Sequence, residues 1–141
     1  LVTTFFAPIA TRSLKVVLAR RYDSLAEFLG ALWEDRVELV SDHPQIARIF
    51  VQEASLHPEI VEVMRVVFTE RVVEPFTAQV RQLQEDGHIA SDLDPGVVMH
   101  HIITTFAGTL AITRVFDVDI GRSLDELRPQ LIRLLCGALA P

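Results

Sequence analysis

The stretch "GVVMHHIITTFAGTLAIT", from Gly96 to Thr113, contains no Asp, Glu, Lys or Arg. It is expected to be one helix. Asp92 or Asp94 is placed to cap it, Pro95 suits its first turn, and it should run to about Phe116. A surface helix shows one apolar stripe and one charged face, whereas a helix without charge on any side needs burial on all sides. A bilayer is one such environment, but eighteen residues rise only about 27 Å, short of a typical hydrocarbon core. The stretch also carries His100, His101 and four threonines, and the rest of the chain is amphipathic, so a membrane partner is not expected. The centre of a monomeric core is a second environment, but 141 residues have limited capacity for it. The third is a position between the domain's own core and a partner chain, and this is the reading adopted. The composition agrees, because half the residues are hydrophobic and the mean hydropathy is +0.32.

The remaining periodicity is helical almost throughout, with no strict alternation bounded by turn signals. The expected fold is all-α, a bundle of about six helices in a single domain over residues 1–141, the last two helices forming a dimeric four-helix interface. Residues 1–22 read as a connecting helix in which Pro8 makes a break or kink, leaving "RSLKVVLARR" as the firmer part. Asp23 or Ser24 caps the next helix, whose stripe is Leu25, Phe28, Leu29, Leu32, Trp33 and Val37. Pro44 opens a third helix carrying Ile46, Ile49, Phe50 and Ala54 on one side. Pro58 opens a long fourth helix that ends at Gly87 and is interrupted by Pro75 near Arg71–Glu74. Ser123 and Glu126 form a capping box before "LDELRPQLIRLLCGAL", where Leu124, Leu127, Leu131, Leu134 and Ala138 follow the 3-4-3-4 spacing of a pairing seam. Pro129 either starts that helix or kinks its second turn.

Charge and cysteine usage exclude several functions. The net charge is −6, with 13 basic and 19 acidic residues, whereas gripping a nucleic-acid backbone needs a basic patch. Arg12, Lys15, Arg20 and Arg21 cluster locally and read as a solvated face, or as the end nearest a nucleic-acid-binding segment outside this chain. Cys136 is the only cysteine, so no internal disulfide or thiolate cluster forms, and its apolar setting suits a small buried residue better than a nucleophile. A reducing, cytoplasmic compartment is expected, and no secretory signal is visible. Neither a nucleophile–base motif nor a phosphate loop is present, so an enzyme is not expected. His100 and His101 are adjacent and point about 100° apart on a helix, which cannot serve one metal. Glu85 and His88 make Glu-x-x-His, but Gly87 breaks the helix between them and no second copy exists. No metal or cofactor is expected.

On the charge-free helix, Val97, His101, Thr104, Gly108, Ala111 and Val115 form a stripe of small and medium residues suited to close helix approach. Met99, Ile103, Phe106 and Leu110 form a bulkier stripe suited to a core or a ligand cavity. Spacing alone does not decide which stripe meets the partner. Thr104 and Thr105 either bond their own helix carbonyls or offer a hydroxyl to a ligand.

From about Leu25 onward the chain resembles the C-terminal domain of TetR-family transcription regulators. The resemblance rests on "DHPQIARIFVQEASLHPEI", a long helix closing in "QLQEDGHI", "SDLDP" before an apolar helix, and a final leucine-rich helix, in that order. Pro8 and Pro129 depart from the smooth helices usual there. The family's helix-turn-helix is not among these residues. A chain beginning at Leu1 and not Met is expected to be a fragment or a processed product. The resemblance implies a ligand-sensing and dimerisation domain that binds a small, largely apolar effector. The effector would shift the population of the dimer and so alter operator affinity, with DNA contacted only through the N-terminal domain outside this chain. It places Trp33, Phe50, Met64, Phe68, Phe76, His100, Thr104 and Phe106 around the effector, each with a packing role as its alternative. It places His101, Gly108, Ala111, Leu127, Leu131, Leu134 and Ala138 at the dimer interface. The rivals are a helical scaffold without ligand and, further off, a small helical enzyme.

Overall fold

The computed structural model describes residues 7–45, 48, 52 and 55–141. Among them the protein is all-helical. Helix α1 spans Ala7–Ala19 and α2 spans Leu25–Asp42. Helix α3 (Pro58–Phe68) runs through a π-helical turn, Thr69–Val73, into α4 (Glu74–Glu85). Helix α5 (Pro95–Leu110) ends in a second π-helical turn, Ala111–Val115, and α6 spans Leu124–Leu139. The described residues therefore make five helical rods. The third helix expected from Pro44 falls mostly outside them.

Local chemistry sets the boundaries. Ser24 accepts from the Glu27 amide (3.1 Å) and Glu27 reaches back to the Asp23 amide (3.1 Å), so Ser24 caps α2. Asp94, not Asp92, caps α5, its Oδ1 accepting from Gly96 (2.8 Å) and Val97 (3.1 Å). Gly87 takes φ +81°, and the His88 amide donates back to the Leu83 carbonyl at 2.8 Å, closing α4 as a left-handed glycine cap does. Pro8 lies within the described part of α1, which continues as regular helix from there to Ala19. Pro129 sits inside α6, past a capping box of Ser123 and Glu126, so the helix does not start at the proline. Ahead of Pro75, the widened Thr69–Val73 turn takes up the interruption: the Glu74 amide donates to Thr69, five residues back.

Helix α2 is central and packs against α1, α5 and α6, while α4 lies across α1 and α5. Its stripe supplies Leu25, Phe28, Leu29, Leu32 and Trp33 to one core, which also takes Phe76, Val80 and Leu83 from α4 and Val98, Ile102 and Phe106 from α5. Phe28 is fully buried between the rings of Tyr22 (5.2 Å) and Phe76 (5.7 Å, edge-on). From α6, Leu124, Leu135 and Leu139 are buried, and Leu127 and Leu131 pack partly buried against the same core. Between α2 and α6, Arg128 reaches Glu34 at 2.8 Å by passing over Gly30, where a Cβ would lie 2.8 Å from its Nη2.

Two polar groups bind the end of α1 to this core. The buried Gln79 amide donates to the Leu18 (3.0 Å) and Arg20 carbonyls, and the Tyr22 hydroxyl donates to Val17 (2.6 Å). Burial pushes the Tyr22 hydroxyl above its usual acidity range. A raised folded-state value means the neutral phenol is favoured in the native protein, so its contribution is full below about pH 10 and is lost as pH rises through the folded value. Urea midpoints measured from pH 8 to 11 are expected to fall at the alkaline end for the natural chain. The fall should be smaller for Tyr22→Phe, which should also be about 1 kcal/mol less stable at neutral pH for want of the Val17 hydrogen bond. Parallel pH curves would remove Tyr22 as the cause.

Candidate ligand-binding site

The core does not fill the space between the helices. A cavity of about 410 Å³ opens where α1, α2, α3, α4 and α5 converge, within the range of small-molecule sites. Local sequence explains why it stays open. Helix α3 has no buried residue, so it stands off the core, and its Met64, Val67 and Phe68 form one wall. Both π-helical turns adjoin the space, contributing Val72 from one and Ala111 and Val115 from the other. A π-helical turn shifts the residues beyond it around the helix, and such turns recur at functional sites. The α5 wall is Ile103, Phe106 and Leu110, the bulkier stripe read from the sequence. Phe68, 41% exposed, and Ala107, also exposed, lie at the solvent side.

Of the residues assigned to the effector from the sequence, Met64, Phe68, Phe76 and Phe106 line this cavity. Trp33 does not. It is buried in the core behind the wall, edge-on to Phe106 at 5.2 Å. Phe50 lies outside the described residues, as does Glu53. His100 and Thr104 are exposed and away from the cavity. Once Ile103 and Phe106 face inward, residues at 100 and 104 fall on other sides of the helix, by the 3.6-residue period. Thr104, Thr105, Thr109 and Thr113 all donate to the carbonyl four residues back, at 2.6–2.8 Å. That is how an uncharged helix carries four hydroxyls, and it leaves none of those protons for a ligand.

The residues assigned to a dimer interface divide as well. His101, Leu134 and Ala138 are exposed, Leu134 to 70%. Gly108 is half-buried. Ala111 borders the cavity, and Leu127 and Leu131 pack on the chain's own core, so these three are engaged within one chain. A 3-4-3-4 seam drifts by about 20° per heptad on a straight helix, so the inward stripe of α6 continues at Leu135 and Leu139 while Leu134 and Ala138 turn outward. On α5 the face opposite Val98, Ile102 and Phe106 carries Val97 (64% exposed), His101 and Thr104, an uncharged surface open to solvent.

Sequence reading passed over Arg36, the one charged residue on the cavity wall among those described. Its Nε donates to Asp35 Oδ2 at 2.8 Å, and its Nη2 donates both to that oxygen and to the Ala10 carbonyl (2.8 Å). The signal was present: Leu25, Leu29, Leu32, Arg36 and Val40 fall on one helical stripe, and a charge in that series marks an unusual surface. The wall also takes Leu14 and the Thr11 position from α1, which spacing could not bring to the middle helices. Burial raises the Cys136 thiol, which keeps it protonated and a poor nucleophile. No cluster of three or more potential metal ligands occurs among the described residues.

By length and composition, Pro95–Val115 could cross a membrane, although its inward stripe is built into the core. No protein-family model matches this chain, and no curated protein or solved structure matches it either.

Proposed function

We propose that this chain is the ligand-sensing and dimerisation domain of a TetR-type transcription regulator, binding a small, largely apolar effector. The observation that carries the reading is the 410 Å³ cavity, open to solvent on one side, bordered by five helices and walled almost entirely by aliphatic and aromatic side chains. A concave surface this apolar leaves hydrophobic side chains facing water, a cost that a bound apolar molecule relieves. The resemblance in helix order supplies the regulator class. The uncharged outer stripe of α5, with Leu134 and Ala138 on α6, supports pairing with a second copy about a two-fold axis, which covers this apolar rod without a membrane. In such a regulator the α1 end leads to the DNA reader, and α1 itself borders the cavity through Ala10 and Leu14. Effector occupancy therefore bears on the element nearest the operator-binding domain, in the cytoplasm.

The test is a thermal-shift screen against uncharged hydrophobic small molecules. A ligand at a hundred times its Kd adds about 2.7 kcal/mol, or about 9 °C for a chain of this length. Ala111→Phe, which fills the space from the π-helical turn, is expected to leave the fold intact and abolish the shift. If no compound raises Tm while the chain sediments as a dimer, the scaffold reading replaces this one.

A further inference from the structure

We infer that the cavity selects an uncharged ligand of two- to three-ring size with at most one neutral hydrogen-bond acceptor, and that Asp35 is the residue that excludes carboxylates. This deepens the ligand-site reading above and rests on it. Size follows from volume: an apolar cavity of about 150 Å³ holds one benzene, so about 410 Å³ has room for two to three rings.

Charge selection follows from the wall. Arg36 would be the natural anchor for a carboxylate, but its Nε and Nη2 are already committed to Asp35, and Nη2 also to the Ala10 carbonyl. The two side chains are only 20% and 10% exposed, so the pair sits in the protein as a neutral unit. An incoming carboxylate meets a guanidinium already neutralised by Asp35 while losing its own hydration in an apolar site. Displacing Asp35 would strand a second carboxylate with little access to water. A cation meets a guanidinium whose counter-charge is taken. A ketone, ether or ester oxygen avoids both costs, because Nη1 has no protein partner among the described residues and can donate to it without breaking the pair.

Three probes of matched shape test the inference: isopropylnaphthalene, acetylnaphthalene and naphthoate, titrated into the 141-residue chain at pH 7 by thermal shift and by quenching of Trp33, its one tryptophan. Acetylnaphthalene and isopropylnaphthalene are expected to bind, with naphthoate at least about tenfold weaker than the ketone. Asp35→Asn keeps a side chain able to accept from Arg36 but removes its charge, and should raise naphthoate affinity at least about tenfold relative to the ketone. Naphthoate binding the natural chain as well as acetylnaphthalene overturns the charge selection and leaves the ligand-site reading standing. An unchanged ratio in Asp35→Asn overturns the role of Asp35. If none of the three binds, nor any larger uncharged compound, the ligand-site reading itself falls. Loss of the ketone's binding in Ala111→Phe locates the probe in this cavity.

Discussion

Phe28→Ala is expected to cost about 3–5 kcal/mol, the largest loss of any single truncation considered for this fold. Phe28 is completely buried, and its ring sits between Tyr22 at the end of α1 and Phe76 in α4. Removing it leaves a void in the layer that joins α1, α2 and α4, and deletes two aromatic contacts at once. A domain of this size has about 5–15 kcal/mol in total, so the variant should be close to the limit of folding, with Tm lower by about 10–17 °C. Urea or thermal denaturation followed by circular dichroism measures it. Phe68→Ala is the control. Phe68 is 41% exposed at the cavity's solvent side and should cost less than about 1.5 kcal/mol. Equal losses for the two phenylalanines would mean that Phe28 is not the centre of the packing.

If the chain pairs through α5 and α6 as proposed, Leu134→Glu is expected to dissociate that dimer while leaving the fold of each chain alone. Leu134 is 70% exposed on a single chain, so the substitution should change the stability of an isolated chain by no more than about 0.5 kcal/mol. In a two-fold interface each substitution occurs twice, and each puts an unpaired carboxylate where apolar surface was to be buried. The dimer dissociation constant should rise at least about 100-fold, which is about 2.8 kcal/mol. Sedimentation velocity over a range of concentrations reads the change directly, with circular dichroism confirming the helices. An unchanged sedimentation profile would move the interface off this face of α6. His101→Glu, on the uncharged side of α5, should act in the same direction; Leu131→Glu would not discriminate, because Leu131 packs on the chain's own core.

Arg36 and Leu134 show in opposite ways how far spacing carries a reading of the site. Leu134 belongs to a regular leucine series, yet the inward stripe of a straight helix passes to Leu135 and leaves it outside. Arg36 breaks an apolar series and so looks like an error in the stripe, yet it sits on the cavity wall with its charge cancelled by its own neighbour. Trp33 and Phe106 lie within one edge-on contact of each other, but only Phe106 reaches the cavity. The largest side chain was therefore not the best guide to the cavity.

What the sequence determined by itself was local. Ser24, Asp94, Gly87 and the Ser123–Glu126 pair mark helix ends because a cap satisfies backbone groups within four residues of itself. The Leu25–Trp33 stripe marks a buried face because the helical period alone aligns it. Pro75 announced an interruption because a missing N–H and a ring clash act one turn away. Tertiary structure decided which side of the charge-free helix turns inward and that α1 joins the cavity wall. Those outcomes depend on contacts between residues tens of positions apart. A helix apolar on every side fits a core equally well through several of its faces, so only the shape and spacing of its neighbours could choose among them.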